Sequence, residues 1–474
     1  MRAVPIPLPI LLDRPGEACG VFGVFAPGAD AARLAYFGLF ALQHRGQESA
    51  GLAVSDGETI TVFKELGLVA QVFDETTLEA LDGYIATGHT RYSTTGSSVW
   101  ENSQPIYRPV NGNGIALSHN GNLTNTAKLS TTLGKRSSST DSELMTETVA
   151  LEMEASGGGT IAALENVLPS FEGAFSLTIM DKDTLVGIRD PHGFRPLCLG
   201  KIPEGWILAS ETAALDIIGA TFIREIAPGE MVIIDEGGVR SSYPFAEPSP
   251  SLCLFEFVYF ARPDSMLYGQ NIHAARRRMG ERLAVQAPVD ADVVVPVPES
   301  GIPAAQGFAA TSGIPYTDGL VKNRYVGRTF IEPAQSMRDR GIRMKLNAMP
   351  GELAGRRVAL VDDSIVRGST TRQLISMVRE AGATEVHLRI SSPPYRWPCF
   401  YGMDTGDRST LLAADRSIAE IGEFLEVDTL AYLELEEVIA ATNVAESEFC
   451  TACLSGRYPT EVPETADKYL LERS

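Results

Sequence analysis

The apolar and polar positions of this chain change rhythm near its midpoint. From Cys19 to about Ile234, short runs alternate or stay apolar for a few residues before polar turns break them: CGVFGVFA, SAGLAVSD, TITVFKE, GIALSHNG, AFSLTIMD and TLVGIRD. This pattern predicts strands. Helical spacing interrupts it over 31–42 and 141–154, so the first half reads as α+β, with helices layered on antiparallel sheets. A stretch rich in Gly, Ser and Pro, 237–251, reads as a linker. Beyond it, DVVVPVP, RRVALVD and EVHLRIS are continuous apolar runs, the first two followed by helical segments. That is the α/β pattern of a parallel sheet covered on both faces. From about Ser409 the tail reads as helical, with FLEVDTLAYLELEEVIAA carrying apolar residues at helical spacing.

Length and composition narrow the function classes. At 474 residues the chain is too long for one ordinary core, which agrees with two domains. A formal net charge of -20 argues against a nucleic-acid backbone or an anionic membrane as partner. A local basic pocket for a phosphorylated small molecule stays compatible with it. No apolar run is long enough to span a bilayer. The N-terminal stretch is broken by Pro5, Pro7 and Pro9 and does not read as a secretory signal. Six cysteines are too sparse for a disulfide scaffold and suit a reducing compartment, so a cytoplasmic location is expected.

The string VALVDDSIVRGSTT, 358–371, carries the most specific chemistry. Its apolar run reads as the end of a parallel strand, which places Asp362 and Asp363 at the strand's C-terminal tip, where α/β sheets bind ligands. Ser364, Arg367, Gly368, Ser369, Thr370 and Thr371 form the loop into the next helix. Backbone N–H groups there, with the hydroxyls, can hold a phosphate. The two carboxylates can accept hydrogen bonds from a diol or bind Mg²⁺. A sugar with vicinal hydroxyls and a 5′-phosphate satisfies both halves, and a plain capped surface turn is the alternative. Two further strings fit the same pocket. PVPESGIPAA brings Glu299 and Ser300 between a strand and a helix; KNRYVGRTFIEP packs Lys322, Arg324 and Arg328 around Gly327, as a loop closing over pyrophosphate would. The 358–371 string resembles the phosphoribosyl-pyrophosphate (PRPP) motif of type I phosphoribosyltransferases.

In the first half, Cys19 stands just before a strand, and LQHRGQESAG, GHTRYSTTG, LSHNGNL and SSTDSEL interrupt apolar patterns with polar residues that a core would not choose. Together they resemble the glutamine amidotransferase domain of the N-terminal nucleophile hydrolases, a four-layer αββα fold. The resemblance implies that Cys19 becomes the first residue after removal of a propeptide, 1–18. Its thiolate would then attack the glutamine amide, with its own amine as general base. Arg91 would pair with the substrate α-carboxylate, Asp141 with its ammonium, and Asn120 and Gly121 would form the oxyanion hole. Arg45 reads as a structural or pocket-wall residue. His44, His89, His119 and His192 have no metal-ligand spacing and read as structural.

Cys253, Cys399, Cys450 and Cys453 remain as candidate ligands, and four thiolates suit either a [4Fe–4S] cluster or a zinc ion. Cys198 reads as a buried strand residue. Over nearly the whole chain the two halves resemble the amidophosphoribosyltransferase family, the glutamine PRPP amidotransferases. Its iron–sulfur branch favours the cluster. The resemblance implies domains at 19–240 and 252–474. It implies that ammonia from glutamine passes to C1 of PRPP, giving 5-phosphoribosylamine, glutamate and pyrophosphate, the first step of purine synthesis. Ser300, Asp362 and Asp363 would hold Mg²⁺, purine nucleotides would act as feedback inhibitors, and a homotetramer or homodimer is expected. The competing reading is a non-catalytic PRPP-sensing regulator.

Overall fold

The computed structural model describes residues 19–93, 95–110, 112–131, 139–323 and 345–463. The expected propeptide, Arg324 and Arg328 lie outside them.

The first half is built on the Gly20–Phe25 strand, which explains why GVFGVF is apolar at every position. The strand lies in a seven-stranded sheet, in the order Thr221–Glu225, Cys198–Ile202, Gly205–Ala209, Gly20–Phe25, Ile85–Arg91, Ser49–Ser55, Ile60–Leu66. Its Val21 and Phe25 point toward a second, six-stranded sheet and share a core with Ala116, Met180, Val232 and Ile234. Its Phe22 and Val24 point the other way, against Leu39 of the helix Ala31–Ala41. The second sheet runs Gly238–Ser242, Met231–Asp235, Leu185–Arg189, Gly173–Met180, Asn113–Leu123, Ile106–Val110. Its outer face is covered by Asp141–Ser156 and Thr160–Val167 through Leu144, Val149 and Leu164. The result is helix, sheet, sheet, helix, with antiparallel pairing in both sheets. Part of the expected linker is strand: Gly238–Ser242 pairs as the sheet edge with Met231–Asp235.

The second half holds a four-stranded parallel sheet, Val293–Pro296, Arg357–Asp362, Glu385–Ile390, Thr429–Tyr432. Val358 and Leu360 face one core with the helix Ser369–Glu380, while Ala359 and Val361 face another with Ile272–Gln286 and Ile302–Ser312. The fourth strand corrects the expectation of a wholly helical tail. The helix Ile418–Leu425 stops at Glu426, which takes a left-handed conformation (φ 60°), and a second helix starts only at Leu435. Between them the Asp428 carboxylate accepts the Val386 N–H at 2.7 Å and an Arg379 N–H at 2.9 Å, locking the TLAY segment onto the sheet.

Candidate functional site

Cys19 is buried at the start of the Gly20 strand. Its thiol donates to the Tyr92 carbonyl oxygen at 3.3 Å, and the Tyr92 N–H approaches the sulfur at 3.5 Å. Burial pushes the thiol pKa up against the smaller opposing effects of the Tyr92 contact and Arg91. Arg91, Glu48 and Asp141 all act electrostatically on this sulfur. The structure therefore gathers residues from three of the four polar strings around one thiol.

Each partner is fixed by its element. Arg91 ends the strand Ile85–Arg91 and is buried; its guanidinium donates to the carbonyls of Ser97 at 3.2 Å and Thr95 at 3.1 Å and lies 3.6 Å from Glu48. Asp141 opens its helix, and its carboxylate accepts the Leu123 N–H at 3.0 Å and the Ser142 N–H at 2.9 Å. Asn120 and Gly121 lie on the Asn113–Leu123 strand. The Asn120 side-chain nitrogen is buried and makes no hydrogen bond among the described residues, a donor left for something that the fold does not supply. Gly121 sits at φ +148°, and a Cβ there would stand 2.1 Å from the Ala174 carbonyl oxygen, so no other residue fits. The histidines are bonded within the fold: His89 bonds the His119 carbonyl at 2.9 Å through Nε2, though its Nδ1 is buried without a hydrogen-bond partner among the described residues, His119 meets Ser142 and the Ala174 carbonyl, and His192 meets the Ser249 carbonyl.

The phosphoribosyl string forms the strand, loop and helix that its pattern predicts. Asp362 ends its strand and accepts the Asp363 N–H at 2.9 Å; the Ser364 hydroxyl donates to Asp363 at 2.6 Å. The second oxygen of Asp363 is buried and without a hydrogen-bond partner among the described residues. Gly368, at φ +81°, enters the helix Ser369–Glu380, whose N-terminus no side chain caps. A Cβ on Gly368 would reach 2.5 Å from Leu412. Arg367 donates to the Asp404 carbonyl, and Thr371 is buried in the first helical turn. The turn carrying Ser300 lies against this tip, since a Cβ on Gly301 would approach the Val361 carbonyl at 2.7 Å and the Asp362 Cα at 3.3 Å. Lys322 is half-exposed and pairs with Glu299 of the same turn at 3.1 Å.

The four candidate ligand cysteines converge. Cys253 and Cys450 are direct partners in a short parallel pairing of Leu252–Cys253 with Phe449–Cys450. Cys453 follows on the next turn, and the Cys399 sulfur accepts the Tyr401 N–H at 3.4 Å. All four are buried and free of disulfides. Burial raises the Cys253 thiol to about 12 and raises Cys450 and Cys453 as well, each with a contribution from the other sulfurs. Among the described residues no group of three His, Cys, Asp or Glu side chains closes tightly enough to hold a single metal ion.

Sequence reasoning missed one part of the centre, a buried chain of charges. Arg45 donates to the Cys19 carbonyl at 3.1 Å and forks onto Glu256 at 2.8 and 3.0 Å. Glu211 meets Arg45 at 2.5 Å and His44 at 2.8 Å. Burial works against the Glu211 charge, but His44 and Arg45 outweigh it and hold the carboxyl well below its usual range. Arg195 reaches Glu256 at 3.2 Å and the Tyr401 carbonyl at 2.8 Å. The available signal was a single carboxylate inside the apolar run LFEFVYF.

A family model described as a glutamine amidotransferase domain matches residues 89–216. The amidophosphoribosyltransferase of Synechococcus elongatus is 54% identical over 461 residues, 95% of this chain and 93% of the relative. That of Mycobacterium tuberculosis is 52% identical over 473 residues, 96% of this chain and 89% of the relative. The solved structure of the Bacillus subtilis glutamine PRPP amidotransferase with ADP and GMP superposes with a TM-score of 0.88 at 43% identity, covering 94% of this chain and 98% of that one. With this identity along nearly its full length, and with both pockets in place, the chain belongs to the amidophosphoribosyltransferase family.

Proposed function

We propose that the chain takes the amide nitrogen of glutamine at Cys19 and delivers it to C1 of PRPP, giving 5-phosphoribosylamine, glutamate and pyrophosphate at the entry to purine synthesis. The observation that carries this reading is a contact between the glutaminase strand and the second half of the chain: the Asn122 side chain, two residues from the unpartnered Asn120 donor, donates to the Phe400 carbonyl at 3.1 Å. A non-catalytic PRPP sensor would have no use for that donor or for a buried thiol ringed by Arg91, Glu48 and Asp141.

The nucleophile is the Cys19 sulfur. Its raised pKa keeps it protonated at neutral pH, so it needs a base, and its own amine supplies one once residues 1–18 are removed. The sulfur attacks the amide carbon, and the carbonyl electrons move to an oxyanion held by Asn120 and the Gly121 N–H. Collapse expels ammonia, which leaves with the proton taken from the thiol, and water then frees glutamate from the thioester. Arg91 and Asp141 hold the α-carboxylate and α-ammonium. Ammonia is a nucleophile only when unprotonated, so a passage shielded from water keeps it reactive.

At the other pocket, Asp362 and Asp363 hold the ribose hydroxyls. Ser364, Arg367, Gly368, Ser369, Thr370 and Thr371 hold the 5′-phosphate with the helix N-terminus. Lys322, Arg324 and Arg328 hold pyrophosphate. The unpartnered oxygen of Asp363 fits Mg²⁺, with Asp362 and Ser300 in its shell; such an ion would neutralise the departing pyrophosphate. Four buried cysteines gathered in one place with no disulfide among them fit a metal cluster, and Cys253, Cys399, Cys450 and Cys453 are assigned to a [4Fe–4S] cluster with a structural role. Measured iron and acid-labile sulfide support this assignment, whereas stoichiometric zinc overturns it. Purine nucleotides are the expected feedback ligands, a homotetramer or homodimer the expected assembly, and the cytoplasm the expected location. No helix among the described residues is long and apolar enough to cross a membrane.

The deciding experiment replaces Cys19 by alanine. Glutamine-dependent phosphoribosylamine formation disappears while formation from added ammonia and PRPP continues. Loss of both activities in a folded variant, or of neither, refutes the assignment.

A further inference from the structure

We infer that Glu256, carried by the second half of the chain, is a positioning residue for the glutaminase centre in the first half. This rests on Cys19 being the nucleophile. Glu256 is fully buried in a single π-helical turn, Glu256–Phe260, only three residues after Cys253. π-turns are uncommon and concentrate at functional sites. The carboxylate receives both prongs of the Arg45 guanidinium, at 2.8 and 3.0 Å, and so fixes the plane of that group. The Arg45 Nε–H points at the Cys19 carbonyl, 3.1 Å away, and Nη1 donates to Glu211 as well. The backbone of the nucleophile is thus held by a guanidinium clamped between Glu211 of its own domain and the bidentate Glu256 of the other.

The same carboxylate binds Arg195, whose other donors grip the Tyr401 carbonyl at 3.0 and 2.8 Å. Tyr401 stacks on Phe194 with ring centroids 4.1 Å apart. The turn Cys399–Gly402 that Arg195 holds also touches the opposite side of the centre. Phe400 accepts from Asn122, and Gly402 packs so closely on Gly121 that a Cβ there would lie 3.2 Å from the Gly121 Cα. One short turn therefore braces the oxyanion glycine directly and the nucleophile through Arg195, Glu256 and Arg45.

Apolar side chains of similar volume would often stabilise such a site as well or better, because burying charge is costly. Geometry explains the charges: a bidentate pair defines an orientation that packing alone does not. A displacement of about 1 Å at a reacting group can cost on the order of 10²-fold in rate. The chain of contacts is arranged to prevent such a displacement between the sulfur and the oxyanion donors.

The test is Glu256→Gln in the full-length protein, which keeps the volume and removes the charge shared by two guanidinium groups. Glutamine-dependent kcat is expected to fall by about 10²-fold, with a much smaller change in KM for glutamine. Synthesis from ammonia and PRPP is expected to persist. Alkylation of Cys19 by a chloroketone analogue of glutamine should slow in proportion, reporting alignment at the sulfur without turnover. A purely structural role would lower both activities by the same factor, and that result overturns the proposal, as does an unchanged alkylation rate. Should Glu256→Gln fail to fold, Gly402→Ala decides: at φ +103° its methyl would press on Gly121 and on Arg195, and the same selective loss is expected. If Cys19→Ala still consumes glutamine, the nucleophile assignment fails first, and the two failures are told apart.

Discussion

The two halves build their pockets in opposite ways. The phosphoribosyl pocket is drawn mostly from one continuous segment at the tip of a parallel strand, with the acidic pair, the glycine and the helix start following in order. The glutaminase centre draws on residues spread from Cys19 to Asp141, placed at the ends of antiparallel strands and a helix start, and is braced by residues more than two hundred positions away. A parallel strand delivers chain to its C-terminal edge and turns it straight into a helix, so a single loop can carry a whole binding function. Antiparallel sheets return the chain to alternate edges, so a comparable centre has to be assembled from several strings. The first pocket should fail locally when altered, the second through its framework.

The sharpest test of that contrast is Asn120→Ala. Removing one oxyanion donor should lower glutamine-dependent kcat by about 10²–10³-fold and leave ammonia-dependent synthesis unchanged. Steady-state assays with each nitrogen source read this directly, and an equal loss with both would place Asn120 in the framework and not in the chemistry. Gly368→Ala probes the other pocket. Its positive φ and a Cβ 2.5 Å from Leu412 should strain the loop by about 1–3 kcal/mol. The KM for PRPP is expected to rise about tenfold, since each 1.4 kcal/mol of lost binding is a tenfold change, with glutamine hydrolysis retained. A titration of PRPP at saturating ammonia measures the shift.

The smallest effect is on stability. Burial pushes the His89 imidazole down to about 3. Below about pH 6.5 the unfolded chain binds a proton that the folded chain refuses, so stability that is fully present above that pH is lost as the pH falls toward 3. The slope is about 1.4 kcal/mol per pH unit. Urea unfolding at pH 7 and pH 5 should show it, and His89→Gln should flatten it. A variant with an unchanged slope would assign the acid limb to other groups.

The difference between the halves also decided what the sequence could reveal. The order of apolar run, acidic pair, hydroxyls and glycine in 358–371 is local, and local order survives in a string of letters. Arg91, Asn120 and Asp141 stand in strings that interrupt apolar patterns and Cys19 just before a strand; their roles came from the family resemblance, and the structure brings Arg91 and Asp141 to the Cys19 thiol. The link from Arg45 to Glu256 was not legible: a lone carboxylate in an apolar run announces that some cation must meet it but not which one. The strand Thr429–Tyr432 was missed because four residues between two amphipathic helices are too few to break a helical period. What defines it is the Asp428 contact to Val386, a tertiary event.

The pairing of Cys253 with Cys450 ties the first residues of the second half to almost the last of the described chain. During synthesis the glutaminase half can fold while the ribosome is still working, since its sheets are complete by Ser242. The thiol site must wait for Cys453 to emerge. A messenger truncated before that codon would therefore release a chain with a formed nitrogen-donating half, three or fewer of the four sulfurs, and exposed apolar surface around Phe255 and Phe257, a product suited to recognition by quality-control proteases.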